Sequence, residues 1–131
     1  MEERSERRRR CAILLWATDP ADPQRCAAPF FHAMAAAAMD AEVEVYFASG
    51  SVRLLVRGVA EALTAMPGEK TTIYDFMQRA AAQGVKFYAC PQALQSHGID
   101  PAQLVPECTG TAGATAFMAR ALDASWTTLS F

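Results

Sequence analysis

Apolar residues along this chain gather in short continuous runs instead of alternating with polar ones. Cys11 to Ala17, Val43 to Ala48, Val85 to Cys90 and Trp126 to Phe131 are read as such runs, with Glu44, Lys86 and the polar Thr127, Thr128 and Ser130 standing inside them, and a weaker one from Leu104 to Cys108 is interrupted by Pro106. Continuous runs mark strands covered on both faces, the habit of parallel sheets. Between the runs the spacing turns helical. Asp22 and Pro23 signal a helix start, Pro29 either kinks that helix or marks its true first turn, and the segment runs to about Asp40. Residues Val52 to Met66 form a second, less regular helical region, ended by Pro67 and Gly68. The third helix is the clearest. Thr72 and Asp75 make a capping box, Ile73, Phe76, Met77, Ala80 and Ala81 share one face, and Gly84 closes the helix. A short helix follows Pro91, and a last one spans about Ala112 to Leu122.

Strand and helix therefore alternate, which requires a parallel sheet with right-handed crossovers. The expected fold is α/β: a three-layer α/β/α sandwich around a mostly parallel sheet of about five strands. At 131 residues the chain fits one domain, expected over 11–131, behind an Arg-rich tail at 1–10 expected to be disordered. Apolar residues are 52% of the chain, but 27 are alanines, so the core is adequate and not generous. The segment from Phe30 to Met39 is apolar nearly all round, with alanine where a surface helix carries polar residues. A helix of that kind is buried on two sides, which predicts a homo-oligomer.

Charge narrows the partners. Arg4, Arg7, Arg8, Arg9 and Arg10 carry five of the 12 basic residues; without the first ten positions the body holds seven basic against eleven acidic groups. An acidic body lacks the basic face that nucleic acid requires. The start, RRRR before CAILLWA, mimics a signal peptide. Its apolar part is only seven residues, TDPADP follows where a small-residue cleavage site is needed, and its removal would delete the best strand, so the run is read as buried strand. No apolar run approaches the ~20 residues of a membrane span. A cytoplasmic protein is expected.

The four cysteines, Cys11, Cys26, Cys90 and Cys108, include no CxxC pair. Zinc and dithiol chemistry are disfavoured on that ground, and neither a metal nor a cofactor is expected. Monothiol chemistry, or four ordinary buried thiols, remains. In open parallel sheets sites form outside the carboxyl ends of the strands. Cys90 ends the third expected strand, Cys108 the fourth, and Cys26 lies near the start of the first helix, whereas Cys11 begins a strand and belongs to the core. Cys90 has the best local chemistry: Pro91 starts a helix behind it, and the unpaired N–H groups of a helix N-terminus favour a thiolate. Cys26 and Cys108 are possible auxiliary thiols. The GTAGA stretch lacks the lysine of a P-loop, and Gly110 and Gly113 are read either as a structural turn or as a cradle for a small anion. His97 lies seven residues beyond Cys90, about 10 Å along a helix, and is not expected as a local partner. His32 is read as a cap or surface residue. A peroxidase of the peroxiredoxin kind carries Thr three residues before its nucleophile, where this chain has Phe87.

From the third helix onward the chain resembles the DsrE/DsrF-like sulfur-relay family. The residues that carry the likeness are GVKFYAC at Gly84 to Cys90, then Gly98 and Ile99, the GTAGATAF stretch from Gly110 to Phe117, and the final WTTLSF; the Ala-rich helix leading into EVEVYFASG is similar too. The resemblance implies that Cys90 accepts a sulfane sulfur as a persulfide and passes it to a partner protein's cysteine. It also implies an α/β/α fold assembled as trimers or hexamers, with protein partners as sulfur donor and acceptor. A second expectation, from a different class, is a non-catalytic oligomeric module that binds a small anion or small molecule near Gly110 to Ala114.

Overall fold

The computed structural model describes residues 8–131. Five strands, Arg10–Leu15 (β1), Glu42–Phe47 (β2), Lys86–Ala89 (β3), Cys108–Thr111 (β4) and Trp126–Ser130 (β5), form one all-parallel sheet in the order β4-β3-β2-β1-β5. Helices Ala28–Ala38 (α1), Ile73–Ala82 (α2), Pro91–Ser96 (α3) and Ala114–Ala121 (α4) connect them, together with short 3₁₀ turns. The expected α/β/α sandwich is the fold observed. Most of the expected tail lies outside the described residues; Arg10 itself is in β1, opposite Glu42, and ion-pairs with it at 3.4 Å.

The strand order explains the layers. The chain steps from β1 to β2 to β3 to β4 in one direction, so right-handed crossovers carry α1 and α2 to one face. The connection from β4 to β5 runs back across the sheet, so α4 lies on the other face. Successive side chains of β2 make the division visible. Phe47 points to the first face, where Phe30 of α1 meets it and Phe87 of β3, with ring centroids 6.1 and 5.8 Å away. Tyr46 points to the second, where it packs on Phe117 of α4 and on Tyr88.

The second face also holds charge. Glu44 is buried, and Arg120 of α4 reaches it through Nε at 3.0 Å and a terminal nitrogen at 3.3 Å, while the Tyr46 hydroxyl donates to the same carboxylate at 2.7 Å. The Arg120 guanidinium lies 4.3 Å from the centroid of the buried Trp126 ring. Together these contacts tie α4 to β2 and β5.

Two expectations need correction. The run from Leu104 to Cys108 is not the fourth strand. Leu104 and Val105 are buried, but in a loop where Leu104 bridges Val56 and the Val105 N–H bonds the Leu55 carbonyl. Pro106 has no N–H to give a ladder, and the strand starts behind it at Cys108. The segment Val52 to Met66 is not a helix but two 3₁₀ turns, Ser49–Leu55 and Ala60–Ala62. Gly58, at φ 90°, breaks it, and Val52, Leu54 and Leu55 are fully buried. The Thr72/Asp75 capping box is present with both hydrogen bonds. Among the described residues no helix is long and apolar enough to cross a membrane.

Candidate functional site

Cys90 stands one residue past β3, on the carboxyl rim of the sheet. Its N–H still bonds the Phe47 carbonyl of β2 at 2.9 Å, and its own carbonyl accepts the first bond of α3, from Leu94 at 3.0 Å. The residue is thus the N-cap of α3, pinned by sheet and helix at once, with Pro91 at the first helical position. Its side chain takes no capping hydrogen bond from α3, so the sulfur is not tied to the helix. It is half-buried. The backbone opposite is Gly113, the residue before α4: a methyl group there would lie 3.5 Å from Cys90 Sγ, at ordinary contact distance, so the α4 turn stands directly against the thiol.

Two cavities share Cys90 as a wall. On the α4 side lies a pocket of about 250 Å³ bounded by Leu14, Tyr46, Phe117 and Met118, with Gly113 and Ala114 at its rim. On the α3 side lies a more open, polar cleft of about 440 Å³ bounded by Ser49, Gln92, Ser96 and His97. Ser49 adopts φ 52°, a left-handed conformation that is uncommon for a serine, and such strain concentrates at functional sites. Beyond the cleft, Asp19 pairs with Arg53 at 2.8 Å. The N–H of Ala21 bonds the Asp19 carboxyl and holds it below the usual carboxylate range, with Arg53 and His97 adding to the effect.

The other thiols are placed differently. Cys11 is buried in β1, as expected for a core residue. Cys26 is fully buried, and its S–H donates to the carbonyls of Asp19 and Asp22 at 3.3 and 3.5 Å. Burial, then the nearby Asp22 and Asp19 carboxylates, push its pKa up to about 11. It therefore stays a protonated thiol near neutral pH and walls neither cavity. Cys108 begins β4 where it was expected to end a strand. It pairs with Phe87, three residues before Cys90, which is about 10 Å along the strands, and donates to the Gly110 carbonyl at 3.4 Å. Burial raises its pKa as well. The structure does not bring Cys26 or Cys108 to the rim cavities beside Cys90. Gly110 is also not in a turn; it lies within β4 against Tyr88, and only Gly113 reaches the site.

His97, the C-cap of α3, bounds the same cleft as Cys90 from the far end of that helix, so it belongs to the surroundings of the thiol while the seven-residue spacing keeps it from being a local partner. His32 bonds the Ala28 carbonyl through Nδ1 at 2.7 Å and packs on Phe131, a structural position. Among the described residues no three His, Cys, Asp or Glu side chains converge as a metal site would need.

The pKa of Cys26 has a measurable consequence. The unfolded thiol ionises near 9 and the folded one near 11, so its contribution to stability is complete below pH 9 and is lost as the pH rises toward 11. Two pKa units correspond to about 2.7 kcal/mol, of which about 2 kcal/mol is lost by pH 10.5. Urea denaturation at pH 7 and at pH 10.5 is expected to show an alkaline loss to which Tyr46, Tyr74, Cys11 and Cys108 also contribute, and Cys26→Ala is expected to lose about 2 kcal/mol less than wild type; equal alkaline losses in both would refute the assignment.

A family model described as the DsrE/DsrF-like family matches residues 12–131. No curated protein sequence matches the chain. Two solved structures are similar. One, from Methanobacterium thermoautotrophicum, is described as the protein of unknown function MTH1491; it aligns with a TM-score of 0.71 at 18% identity, over 94% of this chain and 99% of its own. The other is the ychN protein from E. coli, with a TM-score of 0.65 at 19% identity, over 95% of this chain and 99% of its own. At these identities the likeness is one of fold.

Proposed function

Because this chain belongs to the DsrE/DsrF-like family, we propose that it is a sulfur-relay protein that carries sulfane sulfur as a persulfide on Cys90. The observation that carries this reading is the contrast among the four thiols. Cys90 alone sits on the carboxyl rim between two cavities, while the S–H groups of Cys26 and Cys108 are spent on backbone carbonyls and Cys11 is in the core. The Cys90 thiolate attacks the outer sulfur of a donor persulfide, the donor S–S bond breaks, and the donor leaves as a thiolate. A partner thiolate then attacks the outer sulfur of Cys90–S–SH and takes it, returning the Cys90 thiolate. Neither step changes the total oxidation state, so no cofactor is required.

The test is to incubate the protein with a sulfane-sulfur donor and follow intact mass. Wild type is expected to gain one sulfur, reversibly by thiol, and Cys90→Ser to gain none. Equal gain by the serine variant would end the proposal.

The protein is further proposed to work as a homo-oligomer, a trimer or hexamer, with separate donor and acceptor proteins. Support comes from the outer side of α1, where Phe31 and the following Met39 are 47% and 65% exposed, and from Met118 and Leu122 at and beyond α4. Sedimentation velocity at micromolar concentration is expected to show that assembly; a clean monomer would contradict it. The cytoplasm is the proposed location, since all four cysteines are free thiols, as a reducing compartment keeps them. The alternative of a small-anion module finds little support at Gly113, because the pocket there is apolar.

A further inference from the structure

The pocket on the α4 side of Cys90 is far larger than one sulfur atom needs. Its 250 Å³ falls just below the ~300–1,000 Å³ of ordinary small-molecule sites, which suits a compact organic group. Its chemistry is one-sided. The side chains around Cys90 are Leu14, Tyr46, Phe117 and Met118, with alanines between them. Apart from the thiol, the only polar side-chain group in that wall is the Tyr46 hydroxyl, and it is already donated to Glu44 at 2.7 Å. A charged or peptide-like group entering here would give up its hydration and find no side chain to replace it. The polar cleft with Ser49, Gln92, Ser96 and His97 opens on the other side of the same thiol. Cys90 therefore has one apolar and one polar approach.

We propose that the apolar pocket holds the carbon body of a small apolar hydropersulfide, aryl or short alkyl, as the sulfur donor. The proposal rests on the persulfide reading above and puts a small molecule of stated class in place of the donor protein, leaving the acceptor a protein thiol. With R in the pocket, the Cys90 thiolate attacks the terminal sulfur of R–S–SH. The new bond is Cys90 Sγ–S, the bond broken is R–S–S, and R–S⁻ departs as the thiolate, to be protonated by water. The product is Cys90–S–SH, and the polar cleft is left open for the acceptor thiol.

The size of the preference follows from burial, since each methylene taken out of water is worth about fourfold in affinity. A benzyl group is expected to favour transfer by at least about tenfold over a polar donor. The experiment compares benzyl hydropersulfide with glutathione hydropersulfide, measuring the second-order rate of sulfur gain at Cys90 by intact mass, each normalised to its rate with free cysteine. Wild type should show the tenfold preference. Ala114→Leu, at an exposed position on the rim, fills the pocket and should bring the ratio to within about twofold of unity. Met118→Lys, at a residue 46% exposed, puts a charge in the wall and should do the same if the leucine variant folds poorly. Equal normalised rates in wild type, or a preference that survives both substitutions, would overturn the apolar-donor proposal while leaving the persulfide reading intact. A change of sedimentation in these variants with an unchanged ratio would do so too, assigning the pocket to subunit packing. Sulfur gain from neither donor would overturn both.

Discussion

Phe30→Ala is expected to lower the unfolding free energy by about 3–5 kcal/mol, the range for removing a buried aromatic ring. Phe30 has no exposed surface and stands over both Phe47 and Phe87, whose own rings are 5.4 Å apart. Removal of the ring leaves a void bounded by α1, β2 and β3, and the strand backbones on its floor are held by ladder hydrogen bonds that cannot relax inward. Domains of this size are stable by only about 5–15 kcal/mol, so at least about a fifth of the total is at stake. Equilibrium urea unfolding measures it as a lowered midpoint at constant slope. Phe30→Leu, which keeps most of the volume, is expected to cost less than about 1.5 kcal/mol. Similar losses for both variants would show that the ring stack is not what holds α1 to the sheet.

Arg120→Met is the second large effect, expected at about 3 kcal/mol. The bidentate contact to Glu44 is not valuable because two charges attract; such pairs roughly break even against apolar replacements. It matters because Glu44 is 3% exposed, and without Arg120 its carboxylate would keep only the Tyr46 hydroxyl. Breaking one side of a fully buried pair costs about 3–5 kcal/mol, and the partial exposure of Arg120, 38% of its side chain, puts this case at the lower end. The double variant Arg120→Met, Glu44→Gln is expected to recover at least half of the loss, since no buried charge is then left. No recovery in the double variant would assign the effect to lost stacking on Trp126 instead.

Much of this molecule was legible in the sequence, and the errors have physical reasons. Central strands β1 and β2 are covered on both faces, so apart from the paired Glu44 their runs from Cys11 and from Val43 are apolar and stood out. Edge strand β4, Cys108–Thr111, is exposed at alternate positions and needs no apolar side chains, so CTGT carried no signal. The neighbouring buried Leu104 and Val105 drew the assignment four residues early. That single shift misplaced Cys108 at the wrong end of its strand and left Gly110 in a turn that is in fact strand. Cys90 escaped because Pro91 marks the strand end independently of hydrophobicity. The cavities were beyond reach: the apolar pocket joins residues from β1, β2, the Gly113 turn and α4, and only the fold brings Leu14 near Met118. Ser49, at the polar cleft, is hidden for another reason, since its backbone conformation is one that serine does not announce.

The pairing of β5 with β1 sets residues 126–130 against residues 10–14. In kinetic terms this is the most expensive contact in the domain, because nearly the whole chain must be looped before it can form. During synthesis α1, α2 and the first three strands are complete long before α4 and β5 emerge. Throughout that interval the face bearing Ala12, Tyr46 and the unpaired Glu44 has no cover. The late return of the chain is therefore the step at which the nascent protein is most exposed to aggregation, and the same step builds the α4 wall of the Cys90 pocket. A molecule that has skipped it has no closed pocket, so maturation of the fold and access to a working thiol coincide.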